Sequence, residues 1–171
     1  MKTPIIAAIA LAIPSLAVAG EWRMVGADHG REYGIDQETI REIGSRREFW
    51  VVAVELEPRT LADYTFDYSL RRMITDCSRD TIDVGQLSFF TKDNPSEPVY
   101  RTRTDPQPEY VMPDTIGYAM WRFVCEGARE HDLVFTTAQD FAQAVWGFRD
   151  ALVALNEAVE RAAEQAAEPI D

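Results

Sequence analysis

Only a handful of residues in this 171-residue chain have types and spacings that suit chemistry, and the cysteines come first. Cys77 and Cys125 are the only two. Behind an export signal such an isolated, even pair is read as one disulfide, because exported chains mature in an oxidising compartment. Nucleophilic catalysis would need a serine or a free cysteine beside a base. The pair is spoken for by the bridge, and neither a Gly-x-Ser-x-Gly elbow nor a Gly-rich phosphate loop occurs. The histidines are His29, after Asp28 in a charged loop, and His131, within Glu130-His131-Asp132. Real metal sites present spaced ligands on a rigid element, so the second cluster is read as a solvated connection. Arg71-Arg72 and Arg101-x-Arg103 are local basic spots; paired across a sheet they would suit a small anion, and as a solvated strand face they need no ligand. Met112 and Met120 are expected to fill gaps in a core rather than to bind a metal. The chain is therefore read as non-enzymatic, without cofactor or metal.

The export signal is residues 1–19. Lys2 supplies the positive start, Ile5 to Ala12 an apolar run, and Ala17-Val18-Ala19 a small-residue cleavage site before Gly20. That run is shorter than the roughly 20 apolar residues a bilayer span needs, and no later segment qualifies. The expected product is exported, to the periplasm or the cell surface. Without Lys2 it carries 16 basic residues against 29 acidic ones. Such a balance disfavours nucleic acid and anionic membranes as partners and favours solubility.

The elements that must position these residues follow from patterning. Residues 20–127 are expected to form one α+β domain, an antiparallel β-sheet with a helix packed on it. Trp22 to Val25 reads as a first strand and Gly26 to Glu32 as a loop. Asp36 caps an expected short helix over Gln37 to Ile43, stopped by Gly44. Phe49 to Leu56, rich in β-branched and aromatic residues, is a strand buried on both faces that Pro58 ends. Ser69 to Cys77 is a strand, and Thr81 to Thr91 another, bulged at Gly85. Val99 to Thr104 returns antiparallel to it. Pro113 opens a helix over Asp114 to Glu126, with Ile116, Met120, Phe123 and Val124 on one side and Gly127 as its stop. The bridge then ties this helix to the strand ending at Cys77.

Residues 128–136 read as a linker and 137–168 as a long C-terminal amphipathic helix. Thr137 and Asp140 form its capping start, and Pro169 ends it. Phe141, Val145, Phe148, Leu152, Leu155 and Val159 recur at alternating steps of 4 and 3, a heptad seam. Two uses of the seam fit. It packs on its own sheet, or it pairs with the same helix of another molecule to give a homodimer. A strict 3.5-residue period suits helix pairing, whereas Ala144, Ala151 and Ala158 widen the face.

The order of landmarks resembles the surface-adhesin protein E family. The residues that carry the likeness are Trp22, Tyr33-Gly34-Ile35-Asp36, Phe49-Trp50-Val51-Val52, Ser69-Leu70-Arg71, Asp76-Cys77, Thr104-Asp105-Pro106, Tyr110-Val111-Met112-Pro113-Asp114-Thr115 and Phe123-Val124-Cys125. It spans Trp22 to Cys125. The resemblance implies a mainly antiparallel sheet with a helix held on it by the Cys77–Cys125 bridge. It also implies a protein-binding role at the cell surface, where founding members engage host extracellular-matrix proteins. This chain departs from the pattern at Tyr110, where the family tends to have Trp. It lacks a lipid-attachment cysteine and adds the residues after Cys125.

Overall fold

The structure is a computed structural model that describes residues 20–105, 107–129 and 131–167. Residues 1–19, read as an export signal, and Pro169, read as the end of the last helix, lie outside the described residues. Five long strands form an antiparallel meander: β1 (Trp22–Asp28), β2 (Arg31–Ile43), β3 (Arg46–Leu61), β4 (Tyr64–Asp76) and β5 (Thr81–Phe90). Two short strands, β6 (Tyr100–Arg103) and β7 (Glu109–Tyr110), share the outer edge of β5. At the opposite edge β8 (Val134–Phe135), within the stretch read as a linker, pairs with β1. Helix α1 (Ile116–Trp121) continues as a π-helical turn, Arg122–Glu126, and α2 covers Ala138–Ala167.

The central strand behaves as its composition predicts. Val51, Val52, Ala53 and Val54 are all fully buried, so both sheet faces are covered. On one face α1 and its π turn place Met120, Phe123 and Val124 against Ile35, Phe49, Val51 and Met73. On the other, α2 seats Phe141, Ala142, Val145 and Trp146 against Trp22, Val52, Val54 and Tyr68. The fold is thus α+β, with a helix on each face. Cys77 and Cys125 are bonded, their Cα atoms 5.6 Å apart, which ties the end of β4 to the π turn. Gly127 ends that turn at φ 72°, the left-handed conformation a glycine adopts without steric cost. The bulge falls at Gly85: Arg72 faces Gln86, whereas the next residue, Met73, faces Val84.

Four local expectations are corrected. The loop at 26–32 is a tight hairpin: β1 and β2 run to a closing Asp28–Arg31 pair around His29 and Gly30, both at positive φ. Two successive positive φ values give a turn whose twist matches the flanking strands. No helix forms over Gln37–Ile43. Asp36 does accept the Glu38 N–H at 3.2 Å, as a cap would, but β2 only bulges there and rejoins β3 from Arg41. An isolated helix of seven residues lacks the length to be stable, while pairing with β3 satisfies the same backbone groups. Pro58 does not end β3. It lies in the irregularity between Val54 and Arg59, where the ladder needs no N–H from it. Finally, α1 starts at Ile116 rather than beside Pro113, because Thr115 supplies the cap, its Oγ1 accepting the Tyr118 N–H at 3.2 Å.

Gly34 on β2 permits the close approach of α2. A Cβ there would lie 2.7 Å from the Phe141 ring. Gly34→Ala is expected to cost about 1–3 kcal/mol through overpacking, read as a lowered urea midpoint. Unchanged stability would mean that Phe141 is not seated on the sheet.

Candidate functional site

Helix α2 divides into two parts. Thr137 caps it, its Oγ1 accepting the Asp140 N–H at 3.0 Å. Hydrogen bonds from Thr136 and Thr137 in turn hold the Asp140 carboxyl below its ordinary range. The first turns are clamped to β3. The Trp146 indole N–H donates to the Glu55 carbonyl at 3.1 Å, Arg149 donates to the Leu56 carbonyl, and Lys92 lies over the Trp146 ring at 5.1 Å. From Asp150 to Gln165 every residue is exposed. That stretch, about 24 Å long at 1.5 Å per residue, stands clear of the sheet.

The seam is divided accordingly. Phe141 and Val145 are buried in the fold. Phe148, Leu152, Leu155 and Val159 are exposed, at 69, 44, 57 and 59%. The heptad reading missed Ala142 and Trp146, which complete the docked face; apolar residues at 141, 142, 145 and 146 are the wider stripe that sheet packing needs. At the foot of the free part, Met24, Leu56, Phe135, Val145, Phe148 and Leu152 line an apolar trough of about 540 Å³. Glu32 is at its rim, and burial raises the carboxyl's pKa, a shift that His131 partly opposes.

A second concavity lies on the α1 face. It has a volume of about 720 Å³ and is bounded by β4, β5, the segment around β7 and the start of α1. Arg71 is half-buried there, its Nε–H donating to Ser69 Oγ at 3.1 Å and its guanidinium 5.7 Å from the Tyr33 ring centre. Burial pushes its pKa down, Tyr33 and the Glu55 carboxylate oppose the shift, and the charges of Arg31 and Arg59 add to it. The neighbouring carboxylate, Glu55, is buried and already engaged: Arg31 Nε binds both its oxygens at 2.7 and 2.9 Å, and Arg59 approaches to 3.7 Å.

The basic spots do not converge. Arg71 is on the α1 face, whereas the adjacent Arg72 points to the other side and pairs with Glu48. Arg103 faces Gln86 and Arg101 faces Ser88 across the β5–β6 ladder. His29 is in the β1–β2 turn against Asp28. His131 and Asp132 are exposed, and Glu130 lies outside the described residues. Among the described residues no three His, Cys, Asp or Glu side chains cluster so as to hold a metal. Of the two methionines expected to fill gaps, Met120 is buried, whereas Met112 is exposed. Among the described residues no helix is long and apolar enough to cross a membrane.

No curated protein matches the chain. Solved structures of Haemophilus influenzae protein E are similar. Crystal form II is 18% identical, with a TM-score of 0.49, over 70% of this chain and 98% of that one. A second structure is 19% identical, with a TM-score of 0.48, over 72% and 96%. The family model for surface-adhesin protein E matches residues 22–126, from the first residue of β1 to the last of the π turn, leaving β8 and α2 outside it. The chain belongs to the surface-adhesin protein E family.

Proposed function

We propose that this protein is an exported, non-enzymatic module of the bacterial envelope that works by binding other proteins at the cell surface. Host extracellular-matrix proteins are the partner class that its family suggests. The observation that carries the reading is the free part of α2, with its bare row of Phe148, Leu152, Leu155 and Val159 above an apolar trough. A contiguous exposed apolar patch of this kind marks an interaction surface. A helix of this length without packing is also marginal in water, so a protein partner would stabilise it.

The test is exposure on intact cells together with binding. Protease that cannot cross the outer membrane is expected to remove the mature band while a periplasmic control survives. Immobilised matrix proteins are then expected to capture the wild-type chain, and Phe148→Asp with Leu155→Asp to lose at least about tenfold in affinity, as central apolar anchors do. Full protection of the band, or unchanged capture by the double variant, defeats the reading.

A second reading is favoured by how charge is arranged along the helix. Arg149, Ala151, Asn156 and Ala158 flank the seam, while Asp150, Glu157 and Glu164 lie on the opposite side. A second copy of α2 would therefore meet no row of like charges. In that case the protein is a periplasmic assembly component that forms a homodimer through the seam. Light scattering of the purified chain would give a dimer mass that the same double variant halves.

A further inference from the structure

We infer that the cleft beside α1 binds the carboxyl end of a peptide whose last side chain is apolar and which carries a basic residue upstream. The inference does not depend on α2. Arg71 is the anchor. Among the described residues it makes no ion pair, because Glu55 is held by Arg31 and Arg59. A guanidinium taken partly out of water, with its nearest carboxylate already in contact with two other arginines, has fork positions left for an acceptor, and its planar fork matches a carboxylate. The walls say what kind of carboxylate. Met73, Ile82, Val84 and Ile116 present apolar surface on the way in, which inorganic phosphate or sulfate would leave unused. The mouth selects further. Asp105 and Glu109 line the same cleft, so a ligand that is only anionic meets repulsion there. A chain end with its carboxylate on Arg71, its last side chain on the walls and a lysine or arginine near the acids satisfies all three zones. The volume of about 720 Å³ is within the range of small-ligand pockets.

The test uses the full mature, oxidised chain and a fluorescein-labelled hexapeptide with lysines at its second and fourth positions and leucine last. Fluorescence anisotropy is expected to show saturable binding of the free acid and binding at least about tenfold weaker for the same peptide amidated at its C-terminus. Arg71→Gln should abolish that difference. Asp105→Asn with Glu109→Gln, two exposed positions, should weaken the free acid severalfold and reduce its salt dependence. Equal affinity for acid and amide overturns the inference without relying on any variant. So does absence of saturation up to millimolar peptide, or displacement by octanoate as effective as by unlabelled peptide. Phe148→Asp with Leu155→Asp should bind the hexapeptide like wild type, which separates failure here from failure of the α2 reading.

Discussion

Phe141→Ala is expected to destabilise the protein by about 3–5 kcal/mol, the range for deleting a fully buried phenylalanine. The ring has no exposed surface, sits above Gly34 and packs edge-on against Phe135 at 5.2 Å between centres. Nothing nearby can fill the space, because the residue beneath it on β2 has no side chain. The loss comprises the transfer energy of the ring and the cavity left behind. It also loosens Ala142, Val145 and Trp146, which share its contact with the sheet. The same substitution at Phe148, one heptad along the seam and 69% exposed, should change stability by no more than about 0.5 kcal/mol in dilute protein. Urea unfolding of both variants checks the contrast. Similar losses at the two positions, growing with protein concentration, would mean that the outer seam is covered by a second copy.

Replacing the disulfide by Cys77→Ser and Cys125→Ser is expected to cost about 4 kcal/mol, the chain-entropy value for a loop of roughly 49 residues. For a domain of this size that is a fall in Tm of about 8–16 °C. The bridge matters beyond loop closure. It ends β4 next to the Gly44–Ser45 turn, where the Cys77 N–H donates to the Ser45 carbonyl at 2.9 Å, and it fastens the π turn that carries Phe123 and Val124 into the core. Calorimetry of the oxidised protein beside the double serine variant measures the effect. A Tm within about 2 °C of wild type would show that packing by α1 alone holds that face, against the chain-entropy account.

Much of this architecture was legible locally, because it rests on chemistry that one segment carries by itself. The run from Phe49 to Leu56, rich in β-branched and aromatic residues, read as a strand covered on both sides, and β3 is one. Gly127 marked the end of a helical segment, Thr137 the start of another, and Gly85 a bulge. The two cysteines, the only pair in the chain, are bonded as their isolation suggested. Where the local signal was ambiguous, pairing decided. Asp36 makes the same hydrogen bond to Glu38 whether a helix or a bulged strand follows, and the free edge of β3 settled the matter. Pro58 breaks a regular ladder but not a bulged one.

The two candidate sites show the same division. Alternation alone puts Arg71 and Arg72 on opposite faces of β4. Only the folded chain makes one of them part of a cleft, because β7 and α1, distant in sequence, complete its lining. The seam from Phe141 to Val159 is periodic from end to end, and nothing in that period says where packing stops. The sheet decides it. A sheet of finite width covers the first turns of α2, through Arg149, and leaves the rest in water, so one repeating pattern serves as core at one end and as open surface at the other. Periodicity specifies which side chains share a face of a helix; the extent of the surface opposite it decides which of them are buried.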